Sequence, residues 1–88
     1  MAVENLLDKQ VTTSPQLPPL KGLKTFEVVA RHLNFRLAAD EIGVTQGAVA
    51  QQIRGLEDIL GLKLFNRLPR GLSLTDDGKA YVHKIREA

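Results

Sequence analysis

Ala38-Ala39-Asp40-Glu41-Ile42-Gly43-Val44-Thr45-Gln46-Gly47-Ala48-Val49 is the stretch on which the fold turns. Its first half is helical in pattern. A short helix is expected over about 36–42, in which Leu37, Ala38 and Ile42 can pack inward. Ala38 and Ala39 are small enough to let another helix cross closely. Asn34 is placed to accept the first free backbone N–H of that helix. Gly43 then breaks it, in the left-handed position that glycine occupies without a Cβ penalty. Thr45 is the N-cap of the next helix, in which Val49, Ile53, Leu56 and Leu60 fall at i, i+4, i+7 and i+11 and form one apolar stripe. Gly61 ends it. Only Gly43-Val44 separates the first of these helices from the cap of the second.

Upstream, Pro18-Pro19 forces an extended entry and a clean helix start. Leu23, Phe26, Ala30 and Leu33, with Val29 beside them, give that first helix its apolar face up to about Leu33. Downstream of Gly61 the period changes from helical to alternating. Leu62 and Leu64, then Leu72 and Leu74, predict two short strands at about 62–65 and 72–74. Between them Asn66-Arg67-Leu68-Pro69-Arg70-Gly71 forms a turn. So small a ribbon is not stable alone and must lean on the helices. Thr75 caps a fourth helix, with Asp76 and Asp77 matched to its N-terminal dipole and Tyr81, Val82 and Ile85 as its apolar stripe. The order helix, helix, tight Gly turn, helix, ribbon, helix is the pattern of a winged helix-turn-helix. The expected fold class is mainly α: a three-helix core, a two-stranded wing and a C-terminal linker helix. The expected domains are a flexible tail at 1–19, rich in Pro, Ser and Thr, the winged unit at 20–75 and the linker helix at 76–88.

Composition narrows the function. The chain has 88 residues, 43% of them hydrophobic and 25% charged, which suits one small globular domain with a thin core. Phe26, Phe35, Phe65 and Tyr81 are the only aromatics, so the core must be mostly aliphatic. With no Cys, disulfides and thiolate metal sites are excluded. No apolar run is long enough for a membrane span, and the first twenty residues carry no secretory pattern. Net charge is +2, but residues 59–75 alone hold Lys63, Arg67 and Arg70 without an acidic residue, so they sum to +3 and the remainder to −1. An anionic partner should therefore meet this segment.

At about 100° per residue, Gln46, Gly47, Ala50, Gln51 and Arg54 share one arc of the third helix, away from its apolar stripe. Amides, a guanidinium and small residues are what a base-reading helix needs: Gln can pair with adenine, Arg with guanine or phosphate, and Gly or Ala permits close approach. Arg67 and Arg70 around Pro69 suit the negative potential of a minor groove or of phosphates. Other constellations are weak. Asp76-Asp77 is explained by the helix start. His32 and His83 are far apart and lack a ligand triad, so neither metal nor cofactor is expected, and no nucleophile arrangement or phosphate loop supports an enzyme.

The residues Leu23-x-x-Phe26-x-x-Val29-Ala30, Asn34-Phe35-x-x-Ala38-Ala39, Gly43-Val44-Thr45-Gln46-x-Ala48-Val49, Gln52-Ile53, Leu56-Glu57, Gly61-Leu62-x-Leu64-Phe65-x-Arg67 and Leu74-Thr75-x-x-Gly78 resemble the N-terminal DNA-binding domain of LysR-type transcriptional regulators. Leu68-Pro69-Arg70-Gly71 and Val44-Thr45-Gln46-Gly47-Ala48-Val49 resemble the branch that activates glycine-cleavage and β-lactamase genes. The resemblance implies a bacterial, cytoplasmic, nucleoid-associated regulator that binds double-stranded promoter DNA at an interrupted palindrome, as a dimer or dimer of dimers. It implies base reading by Gln46, Gly47, Ala50 and Gln51. Backbone and wing contacts would fall to Asn34, Arg36, Thr45, Gln52, Arg54 and Arg67, joined by Arg70 on the wing's own charge. It further implies a homodimer through the fourth helix at Tyr81, Val82 and Ile85, and a small-molecule effector bound by a larger domain beyond these 88 residues. Two departures bear on base preference: Ala50-Gln51 stand where the family often has Ser and Arg, and Arg36 where it often has Ser or Thr. The rival reading is a winged-helix protein-interaction module, which would need aromatic or Leu anchors on the outer face of the third helix.

Overall fold

Asn34 and Thr45 each start a helix in the way their side chains allow. The Leu37 N–H donates to Asn34 Oδ1 (2.9 Å), and the Ala48 N–H donates to Thr45 Oγ1 (3.1 Å). In the computed structural model, which describes residues 20–87, the order is α1 Leu20–His32, α2 Phe35–Ile42, α3 Gln46–Leu60, β1 Phe65–Arg67, β2 Leu72–Leu74 and α4 Asp76–Glu87. The expected tail at 1–19 lies outside the described residues. Gly43 and Gly61 close α2 and α3 in the left-handed conformation (φ +85° and +71°), as their positions predict. Thr75 caps α4 by accepting the Gly78 N–H (2.9 Å).

The core lies where α1, α2 and α3 meet. Phe26, Val29, Ala38 and Val49 are fully buried, with Ile53 and Leu56 beside them. Phe26 is its aromatic centre: its ring lies 5.5 Å from Phe65 and 5.6 Å from Tyr81, both tilted, a favoured arrangement for aromatic pairs. One residue of α1 thus touches both the wing and α4.

Two expectations are corrected. Leu37 and Ile42 do not pack inward; they are 39% and 37% exposed, and α2 buries Ala38 and Ala39 instead. The reason is the close crossing that two alanines permit, which leaves the longer side chains at its rim. The first strand is Phe65–Arg67 rather than 62–65. Leu62 and Leu64 alternate because the chain passes beneath the wing, where Leu64 is fully buried, and not because they pair with another strand. The ribbon is antiparallel with Phe65 opposite Leu74, Asn66 opposite Ser73 and Arg67 opposite Leu72.

The wing is tied to the helices by backbone as well as by side chains. The Glu57 carboxylate of α3 accepts the N–H groups of Leu64 (2.8 Å) and Phe65 (3.4 Å). The Leu72 N–H donates to the Leu33 carbonyl (3.0 Å), and Leu33 itself sits at φ +52° in the α1–α2 corner. Thr75 donates its hydroxyl to the Lys63 carbonyl (2.6 Å) and its N–H to the Leu64 carbonyl (3.0 Å). Gly78 lies so close beneath this junction that a Cβ there would overlap the Leu64 carbonyl oxygen.

Candidate nucleic-acid interface

The outward face of α3 is built by subtraction. Val49, Ile53 and Leu56 are committed to the core, so Gln46, Gly47, Gln51 and Arg54 are left exposed, with Ala50 half-buried at the edge. From Gln46 to Arg54 the helix carries no carboxylate. Nothing lies within 4 Å of where a Cβ would stand on Gly47, so this corner of the face is open.

The starts of α2 and α3 and the wing border one open groove, lined by Asn34, Arg36, Gln46 and Arg67 among others and by no acidic residue. Asn34 and Thr45 use an oxygen each as a cap; the Asn34 amide and the Thr45 hydroxyl hydrogen remain as donors. Arg36 is exposed and loosely paired with Asp40 one turn on (3.6 Å). Arg67 extends from β1, and its Cζ stands 5.2 Å from the centre of the Phe35 ring. Arg70 is exposed in the turn of the wing.

Gln52 is not part of this face. It is half-buried on the flank of α3 toward α1, where its Oε1 accepts the hydroxyl of buried Thr25. The stripe of α4 is also largely spoken for. Val82 is buried and Tyr81 and Ile85 are half-buried against the domain's own core. Sequence reading passed over Phe35 and Glu57 as functional, although both stood in the quoted motifs. Phe35 underlies Arg67, and Glu57 fixes the wing's base on α3. Glu57 directly follows core residue Leu56 and lies one turn before the helix stop at Gly61, and that position beside the returning chain was the available signal for it.

Away from the groove, an ionic cluster clamps α1 to α2. Arg31 reaches Glu41 (2.6 Å) and Glu27 (3.0 Å), and His32 Nε2 lies 2.7 Å from Glu41. Hydrogen bonds from Arg31 and then from His32 hold the Glu41 carboxyl at a pKa of about 2, and the same carboxylates push the Arg31 guanidinium upward.

A short Gly turn between two helices, an outward face of amides and small residues on the second, and a wing carrying exposed arginines define the DNA-binding domain of a transcription regulator. The chain belongs to the lysR family of bacterial regulatory helix-turn-helix proteins, whose pattern matches residues 20–79. It is 54% identical over 74 residues to the glycine cleavage system transcriptional activator of Escherichia coli (strain K12), a match covering 84% of this chain and 24% of that protein. It is 62% identical over 61 residues to the HTH-type transcriptional regulator BlaA of Proteus vulgaris, covering 69% of this chain and 21% of the other. The crystal structure of a CbnR_DBD–DNA complex superposes with a TM-score of 0.75 at 35% identity, over 78% of this chain and 79% of that one. The chain spans about a quarter of the length of the curated relatives it matches.

Proposed function

We propose that the chain recognises promoter DNA by sequence, with the N-terminal half of α3 in the major groove and the wing in the adjacent minor groove. The observation that carries this reading is the carboxylate-free outward face of α3 set beside the Arg36 and Arg67 groove. Gln46 and Gln51 present amides that suit adenine edges, and Gly47 and Ala50 keep the helix thin enough for close approach. Asn34, Arg36, Thr45 and Arg54 take phosphate oxygens, and Arg67 and Arg70 enter or flank the minor groove. Gln52 is omitted because it lies half-buried on the α1 flank of α3, outside the outward arc.

Two copies bind an interrupted palindrome, pairing through α4 by the half-exposed parts of Tyr81 and Ile85. Val82 belongs to the core of its own protomer. Its DNA places the chain in the bacterial cytoplasm; among the described residues no helix is long and apolar enough to cross a membrane. A small-molecule effector would act through a domain outside these 88 residues, in keeping with the greater length of the relatives. The work done is recognition by shape, charge and hydrogen bonds, without a chemical step.

Selection of bound duplexes from a random pool tests this. One motif with two dyad-related half-sites should be enriched, and log affinity should fall against log salt with a slope of about −0.9 for each phosphate contact. Enrichment of no motif, or binding insensitive to salt, refutes it.

A further inference from the structure

We propose that Phe35 is a positioning residue for the wing: its ring holds the Arg67 guanidinium in place before DNA arrives. The proposal deepens the reading of Arg67 as a DNA contact and rests on it. The Cζ of Arg67 lies 5.2 Å from the Phe35 ring centre, within the distance at which the ring face attracts a cation. Arg67 itself is exposed, so the stack holds it without removing it from solvent or from DNA.

The backbone keeps the two residues in register. Arg67 pairs with Leu72 across the ribbon, and the Leu72 N–H donates to Leu33, two residues before Phe35. Gly71 permits this contact, since a Cβ there would stand 2.8 Å from the Leu33 carbonyl oxygen. A long arginine side chain loses rotamer freedom when a phosphate or a groove immobilises it. Phe35 imposes much of that loss in the free protein, so DNA binding incurs less of it. An aromatic at the first position of α2, otherwise a plain helix start, thereby acquires a task that a leucine would not perform.

The test is a double-mutant cycle on the 88-residue chain, with a duplex selected by the wild type as probe. Phe35→Leu keeps apolar bulk and removes the ring; Phe35→Tyr keeps the ring. Phe35→Leu should weaken binding roughly three-fold in the wild type, the scale of immobilising one flexible side chain, and leave affinity unchanged in the Arg67→Ala background. Phe35→Tyr should bind within about two-fold of wild type. Equal loss in both backgrounds would make Phe35 a packing residue only and overturn the proposal, as would no loss in either. If Arg67→Ala alone binds like wild type, the wing contact itself fails and the proposal falls with it. A readout that needs no variant is the wild-type nuclear Overhauser contact between Arg67 side-chain protons and the Phe35 ring; its absence also overturns the proposal.

Discussion

Replacing Gly78 by Ala should destabilise this domain, although Gly→Ala inside a helix ordinarily stabilises by about 0.5–1 kcal/mol. The reversal comes from what surrounds the position. A Cβ at Gly78 would overlap the Leu64 carbonyl oxygen and stand 3.0 Å from both the Leu64 carbonyl carbon and Leu74 Cδ2. The carbonyl cannot turn aside freely, because it accepts the Thr75 N–H at 3.0 Å. Relief therefore requires α4 to lift off the wing's base. Overpacking of a set core costs about 1–3 kcal/mol, and a backbone obstacle belongs at the upper end. After the helix gain is subtracted, a net loss of about 1–2 kcal/mol remains, or roughly 5–15 °C in Tm for a domain of this size. Gly55→Ala is the matched control: it is exposed in α3 with nothing within 4 Å of its Cβ position, and should raise Tm by several degrees. Urea and thermal unfolding followed by far-UV circular dichroism read both. A Gly78→Ala chain as stable as wild type would refute the close approach of α4 to Leu64.

Three further outcomes are expected. Glu41 is held at about 2 in the folded chain against an ordinary 4.5, so its contribution is present above about pH 4.5 and is lost as pH falls toward 2. Glu41→Gln should flatten the acid limb of stability against pH; parallel curves for variant and wild type would show that the Arg31 and His32 contacts carry nothing. Gln51→Arg should move the preferred base at one position per half-site toward guanine, by about 1–3 kcal/mol of discrimination, and an unchanged selected motif would remove Gln51 from the readers. Ile85→Asp should abolish self-association in sedimentation and weaken a full palindrome far more than a half-site, with a modest fall in Tm because Ile85 also packs on the core. A variant that dimerises normally would place the contact elsewhere.

What could be read in advance was local. Asn34, Thr45 and Thr75 cap within three residues, Gly43 and Gly61 stop their helices at the next residue, and Val49, Ile53 and Leu56 repeat within one element. Each depends on neighbours in the chain, so spacing suffices. What was missed depends on distant partners. The alternation of Leu62 and Leu64 mimics a strand, but its cause is burial beneath α3 and the wing, with Glu57 taking the N–H groups a strand partner would have used. Ala38 and Ile42 stand one turn apart and suggest a buried stripe, but the two-alanine crossing centres the buried line on Ala38 and Ala39 and leaves Leu37 and Ile42 at its rim. On the candidate face, the arc Gln46, Gly47, Gln51 and Arg54 follows from helical geometry alone. The diversion of Gln52 to Thr25 and the seating of Arg67 over Phe35 require knowing which elements touch.

Thr75 has a mechanical consequence. With its hydroxyl it holds the Lys63 carbonyl and receives the Gly78 N–H; with its own N–H it holds Leu64. The wing ends at Leu74 and α4 begins at Asp76, so this single doubly anchored residue is the whole joint between them. A joint of that kind has no slack. Torque applied along the 12-residue helix, a lever of about 18 Å, is delivered to the wing rather than absorbed in a loop. Wing and α4 should turn as one stiff bracket, and bending between them requires breaking the hydrogen bonds of one threonine.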